Sequence, residues 1–169
     1  TYSANGLING DTLIGTLGAT AQVYSGTAGS ASNAGSYAIT QGTLTAGSNY
    51  NITYVDGGLT VNKAALTVTA NNATKTYDGL AYTGGNGVTY AGLVNGETSS
   101  VLGGTVAYSG TSQNAVNANT YTIVPSGYTS NNYTITYVNG SLTVNKAALT
   151  VTANNATKTY DGLAYTGGN

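Results

Sequence analysis

Strong acid–base chemistry in this chain is limited to five carboxylates and four lysine ammoniums. The acids are Asp11, Asp56, Asp78, Glu97 and Asp161. With no His and no Cys, the usual general base, the thiol nucleophile and the common transition-metal ligands are missing. Asp78 and Asp161 occupy one repeat position and Asp11 and Glu97 another, so about one acid falls at each site. Glycosidic hydrolysis needs two carboxylates facing one bond, which this spacing does not supply. Asp56 and Asp78 each precede a Gly, where a local turn explains the Asp. Calcium would require a denser acidic loop than any present. No Gly-rich segment leads into a helical pattern, so a phosphate has no helix end to sit on. An enzyme is therefore not expected, and no catalytic residue, metal site or cofactor is assigned.

Two patterns remain as candidate chemistry. Lys75-Thr76-Tyr77-Asp78-Gly79 recurs as Lys158-Thr159-Tyr160-Asp161-Gly162. One reading is a Lys–Asn or Lys–Asp isopeptide crosslink. The favoured reading is a Lys that guards an edge strand against improper pairing, followed by a turn. Five Asn-x-Ser/Thr sequons, at Asn51, Asn72, Asn132, Asn139 and Asn155, offer candidate glycosylation sites. In a chain this rich in Asn and Thr, unmodified surface Asn is the favoured reading.

Charged residues make up 5% of the 169 positions, against roughly 25% in an ordinary globular domain. Such a surface has too little field to attract nucleic acid or an anionic membrane, and no apolar run approaches the ~20 residues of a membrane span. Neither partner is expected. The absence of Cys excludes a disulfide framework and suits a secreted bacterial protein that crosses membranes unfolded. With 15 Tyr and no Phe or Trp, Tyr must supply the large core side chains. Tyr50, Tyr54, Tyr121, Tyr133 and Tyr137 are assigned inward, hydroxyls near the surface. The alternative is an exposed Tyr ladder.

Repetition governs everything else. Leu59 to Asn86 and Leu142 to Asn169 are identical, at an offset of 83 residues. Upstream, Asn49 to Val55 matches Asn132 to Val138 at the same offset. Tyr24-Ser25-Gly26 and Tyr37 match Tyr108-Ser109-Gly110 and Tyr121 at 84, and Gly6 to Thr12 matches Gly92 to Thr98 at 86. The small insertions belong in loops. Thr1 stands opposite Gly87 and Asn169 opposite Asn86, which leads to the expectation of a window on a longer array, opened inside a unit.

Within a period the pattern alternates, as in Leu66 to Ala70 and Tyr133 to Val138, and Gly or Asn interrupts it at the spacing of an all-β sandwich or barrel. The predicted strands are about 65–70, 73–77, 87–91, 104–109, 120–124, 133–138 and 141–146. Asn139-Gly140, and Asp56-Gly57 in the first copy, are read as hairpin turns. At Lys63-Ala64-Ala65 and Lys146-Ala147-Ala148 the apolar parity changes with no Gly/Ser spacer. A one-residue phase change turns every later side chain to the opposite face, so these are the expected unit junctions, each with a kink or bulge. The expected domains are 1–63, a unit lacking its first strands; 64–146, a complete unit; and 147–169, the opening of a third. Residues 147–169 are expected to point away from the 1–63 unit. The expected fold is all-β: tandem β-sandwich (Ig-like) units stacked head to tail without linkers, with a β-grasp-like unit as the fallback.

Gly6 to Thr12, Tyr37 to Gly42 and Tyr50 to Val55 together resemble the MBG domain of bacterial surface proteins. The Lys-Thr-Tyr-Asp-Gly element is similar to that family and to the YDG domain. The resemblance spans essentially the whole chain in about two copies. It implies a giant secreted or cell-surface protein, often of the filamentous haemagglutinin type, in which such repeats build stalks or fibres. It brings no catalytic residues with it. The expected function is a structural repeat of an extracellular filament or adhesin stalk, whose partners are neighbouring repeat units, either covalently continuous or strand-donating. The alternative is a carbohydrate- or surface-binding module with an exposed Tyr/Asn/Thr face.

Overall fold

A computed structural model describes residues 3–12, 26–42 and 46–167. The matched residues Tyr24 and Ser25, and the chain-end positions Thr1 and Asn169, lie outside these. The described residues form an all-β structure with two short 3-10 turns, Thr27–Ser30 and Ser99–Val101. The strands are β1 Gly35–Ile39, β2 Gly57–Val61, β3 Ala64–Ala70, β4 Ala73–Thr76, β5 Val88–Ala91, β6 Gly103–Ser109, β7 Asn119–Thr129, β8 Tyr133–Val138 and β9 Gly140–Asn145. From β3 onward they fall on the alternating runs predicted above, with one exception. Strand β7 continues to Thr129 through Pro125 and Gly127. Those two residues look like a stop in sequence but sit opposite an irregularity in β6, where the register shifts between Gly104 and Ala107. Gly104 and Gly127 both have positive φ, and a Cβ on either would lie 2.2 Å from a carbonyl oxygen across the ladder. Only glycine lets the two backbones approach this closely, so the pair marks a bulge rather than a strand end.

The strands form three sheets: β1-β2, β5-β3-β8 and β4-β9-β7-β6. The last two are consistent with a β-sandwich. Its inner faces carry two apolar clusters. One joins Leu66, Val68 and Tyr133, with Tyr128, Ile135 and Tyr137 packed against it. The other joins Ala70, Ile123, Leu142 and Val144, with Tyr108 and Tyr121 against it. These tyrosines are therefore core residues, as the composition requires.

The hairpin reading of Asn139-Gly140 is corrected. Strands β8 and β9 lie in different sheets, so the pair is a crossover. Gly140 is needed there because a Cβ would meet the Ala70 carbonyl oxygen at 2.6 Å. That carbonyl belongs to the neighbouring crossover from β3 to β4. The two-strand segment β3–β4 thus runs beside β8–β9, parallel throughout, and the two change sheets together. Asp56-Gly57 is not a hairpin either. Residues 51–56 form no strand, and Gly57 opposite Ile39 belongs to the antiparallel β1–β2 pair. An Asn-Gly or Asp-Gly pair between alternating runs says that the chain bends. It does not say that the runs pair.

The first copy reproduces part of the second. The register Gly35↔Val61 through Ile39↔Gly57 repeats as Asn119↔Val144 through Ile123↔Gly140. The parallel edges absent from an antiparallel Ig sandwich are those made by β3 and β4. Among the described residues no helix covers either sheet.

The duplicated sequence supplies an internal control. Leu66 and Leu149 occupy equivalent positions, but Leu66 is 1% exposed and Leu149 86%. Leu66→Ala is expected to destabilise by about 2–5 kcal/mol, the usual cost of emptying a core leucine site. Leu149→Ala should stay within about 0.5 kcal/mol. Urea denaturation of the two variants checks the difference.

Candidate functional site: the Lys63 junction and the tyrosine latches

Two matched motifs form one device. Asn9 and Gly10 have φ of 58° and 81°, and Asn95 and Gly96 have 54° and 75°. Asp11 N donates to the Ile8 carbonyl at 3.1 Å, and Glu97 N to that of Val94 at 3.0 Å. Positive φ at both central residues is the type I′ turn that Asn-Gly favours. Each turn aims its acid at a tyrosine. The Tyr50 hydroxyl donates to Asp11 Oδ2 at 2.6 Å and accepts from Ile8 N at 3.1 Å. The Tyr133 hydroxyl donates to the Glu97 carboxylate and accepts from Val94 N at 3.0 Å. The hydrogen bonds to Asp11 and Glu97 push both phenols above their ordinary range. These carboxylates thus latch a tyrosine in each copy, the buried Tyr133 in one and the half-buried Tyr50 in the other. Sequence shows that each copy keeps an acid at this position. It does not show that the acid and the distant Tyr meet.

A second device also repeats. The Tyr37 hydroxyl donates to the Asn33 carbonyl at 2.7 Å, and that of Tyr121 to Asn117 at 2.9 Å. Thr27 Oγ1 accepts from Ala38 N at 3.0 Å, and Thr111 Oγ1 from Thr122 N at 2.9 Å. Among the described residues, a third tyrosine group occurs in the second copy. The Tyr90 and Tyr128 hydroxyls lie 2.6 Å apart, and the Tyr137 hydroxyl accepts from Tyr128 N at 2.7 Å. The bond with Tyr90, helped by burial, pushes Tyr128 up to about 12.

The Lys-Thr-Tyr-Asp-Gly element is an ion-paired turn. Lys75 Nζ lies 2.8 Å from Asp78 Oδ1 and also donates to the Leu80 carbonyl at 2.7 Å. Lys158 and Asp161 repeat this at 2.6 Å, with Leu163 in place of Leu80. The lysines hold both carboxylates below their usual range. An ionised, solvent-facing carboxylate is a poor electrophile for amide formation, so the geometry favours the turn over the isopeptide reading. Lys75 also lies on β4, an edge strand of its sheet, where a charge discourages further pairing.

At the first parity change, β2 ends at Val61 and β3 begins at Ala64, with only Asn62 and Lys63 between them. The burial phase shifts there. Val61 is the half-buried residue of β2, whereas Leu66, Val68 and Ala70 are the buried residues of β3. Lys63 Nζ donates to the Ser130 carbonyl at 3.0 Å, and Ala64 N to that of Asn132 at 2.9 Å. The Asn132 side chain then bridges the copies. Its Oδ1 accepts from Ala34 N at 2.9 Å, and its Nδ2 donates to Asn33 Oδ1 at 2.9 Å. Asn33, Lys63, Ser130, Asn131 and Asn132 line a cleft between the copies. At the other parity change, Lys146, Ala147 and Ala148 are exposed and lie beyond the end of β9.

The remaining candidate residues are scattered. Asn51, Asn72, Asn139 and Asn155 are exposed, whereas Asn132 is half-buried with its amide engaged. Asn72 Oδ1 accepts from Ser141 N at 2.9 Å and so helps hold the paired crossovers. Asp56 is exposed. Among the described residues, no three potential metal-ligating acids come together, and no helix is long and apolar enough to cross a membrane.

The chain is thus an all-β repeat protein. The family model described as MBG domain (YGX type) matches residues 1–60 and 66–143, and the chain belongs to that family. It is a structural repeat family of surface proteins rather than an enzyme family. No curated protein matches the chain, and no solved structure does.

Tyr133→Phe removes one donor and leaves Val94 N unpaired, an expected cost of about 1–3 kcal/mol. Tyr50→Phe should cost less, because water reaches that site. For the phenols raised in the folded state, the native protein keeps protons that the unfolded chain loses. Stability should therefore be level below the ordinary phenol value of 10.0 and fall as pH rises towards about 12. Tyr128→Phe should flatten that decline. Denaturation midpoints measured across the alkaline range check both statements.

Proposed function

We propose that this chain is a structural repeat segment of an extracellular bacterial filament or adhesin stalk. In this reading, 1–63, 64–146 and 147–169 are successive units, and Lys63–Ala65 and Lys146–Ala148 are the junctions between them. The observation that carries it is the first junction. Two residues separate strands of different sheets, and Lys63 and Asn132 tie the flanks together. A short connection with hydrogen bonds on both sides resists bending, and each unit then couples mainly to its neighbours. The mechanism is geometric: stacked units hold something else at a distance and carry tension along β2 and β3. Family membership and the surface-protein setting support secretion to the bacterial surface. The glycan-binding alternative draws less support, because Tyr37, Tyr50, Tyr121 and Tyr133 direct their hydroxyls to partners within the chain.

Small-angle scattering tests this reading. The natural chain should give one narrow distribution of interatomic distances. Inserting Gly-Gly-Ser after Asn62, or making Asn132→Ala, should broaden it and lower the apparent persistence of the pair. An unchanged distribution in both variants would show that the junction does not set the geometry. Because the Asn132 amide is engaged, a glycan there should loosen the junction in the same way.

A further inference from the structure

Asn-Gly pairs begin at Asn5, Asn9, Asn86, Asn95 and Asn139. This dipeptide has a chemistry of its own, because glycine carries no Cβ to shield its amide nitrogen from the preceding side chain. The structure sorts the pairs. Asn86 is held: its Nδ2 donates to the Asn72 carbonyl at 2.8 Å, and its own carbonyl accepts from Asn71 Nδ2 at 3.0 Å. Gly140, after Asn139, is packed so closely that a Cβ would meet the Ala70 and Asn71 carbonyl oxygens at 2.6 and 3.0 Å. Asn95 and Gly96 are both exposed, with open space around the glycine. The hydrogen bond of their turn runs from Glu97 N to the Val94 carbonyl and leaves Gly96 N outside it. Asn9 and Gly10 repeat this arrangement in the first copy, where Asp11 N donates to the Ile8 carbonyl. In both turns the residues flanking Asn-Gly are the two that hold a tyrosine. Val94 N and Glu97 hold Tyr133, and Ile8 N and Asp11 hold Tyr50.

We propose that Asn95-Gly96 and Asn9-Gly10 are sites of spontaneous deamidation, and that the β-aspartyl product opens the tyrosine latch. Gly96 N gives up its proton to hydroxide and attacks Asn95 Cγ. The new C–N bond closes a five-membered succinimide, and the side-chain nitrogen takes a proton from water and leaves as ammonia. A water molecule then opens the ring. Breaking the bond from Gly96 N to Cγ gives an ordinary Asp. Breaking its bond to the former backbone carbonyl carbon leaves the chain running through Cβ and Cγ, one carbon longer. Water is the only co-reactant. A two-residue turn fixes the spacing of the residues it joins, so the extra carbon moves Val94 relative to Glu97. Tyr133 bonds to both, and it cannot keep both once their spacing changes. A donor or acceptor on a buried phenol is then left unpaired. The effect is larger in the second copy, where Tyr133 is 3% exposed and packs with Leu66 and Val68, than at the half-buried Tyr50. The reaction follows from the turn chemistry and does not rest on the stalk reading above.

The test is to age the natural chain in mildly alkaline buffer and follow each Asn by mass spectrometry. Electron-based fragmentation separates ordinary from β-linked Asp. The expected result is conversion of Asn95 at least several-fold faster than that of Asn86, with β-aspartyl among the products. The aged chain should melt a few degrees below the fresh one. Asn9→Gly/Asn95→Gly keeps both turns, since glycine accepts positive φ, and removes both reactive amides. Its melting should not change on ageing. Freshly made Asn95→Asp carries the new charge without the extra carbon and should melt close to the natural chain. The purified β-aspartyl form at position 95, equal to it in charge, should melt below it. That comparison needs no glycine variant to fold. Equal conversion of Asn86 and Asn95, or a β-aspartyl form that melts with Asn95→Asp, overturns the proposal.

Discussion

The structure depends on a pairing that is parallel and distant in sequence. Strands β3 and β4 lie alongside β8 and β9, so the start of the second copy is held by its end. Parallel neighbours cannot be joined by a tight turn, and everything between β4 and β8 must be traversed before the ladder can form. That requirement explains the two sheets and the twin crossovers. It also explains the glycine at position 140, where the crossovers touch. The same pairing puts Leu66 and Val68 against Tyr133 and gives one apolar cluster its centre.

Tyrosine adapts this small core to a chain without Phe or Trp. Each ring supplies apolar area, and each hydroxyl must then find a partner. The partners differ in kind: a carboxylate on a type I′ turn for Tyr50 and Tyr133, a carbonyl four residues upstream for Tyr37 and Tyr121, and another phenol for Tyr90 and Tyr128. The scarce charges of the sequence find employment here. Asp11 and Glu97 act as tyrosine acceptors, and Asp78 and Asp161 close ion-paired turns.

Much of the fold was legible in the residues. Alternation located the strands from β3 to β9 because burial on one face imposes a period of two. Composition pointed to Tyr121, Tyr133 and Tyr137, which pack in the apolar clusters, whereas Tyr50 and Tyr54, also expected inward, are half-buried and belong to neither. The parity change at Lys63 and the break between β2 and β3 coincide, because a chain moving to a new sheet must turn its apolar face. What sequence could not supply was pairing. Asn139-Gly140 and Asn95-Gly96 are the same dipeptide, yet one is a crossover without positive φ at its glycine and the other a type I′ turn. The strand predicted at about 120–124 continues through Pro125 and Gly127 in β7, since a bulge opposite them accommodates what a regular ladder would not.

The identical stretches 64–84 and 147–167 divide the two kinds of information. In both, Lys and Asp close the same turn, with the Leu amide on the Asp carboxylate at 3.0 Å in each. That turn depends on groups within a few residues of one another, so sequence alone determined it. Only the first stretch forms β-strands, and its Leu66 and Val68 are buried where Leu149 and Val151 are exposed. A strand's hydrogen bonds are made to another segment, and isolated alternation has nothing to pair with. The local turn was settled by the sequence. Whether the same residues become core or surface was decided by whether β8 and β9 lay beside them.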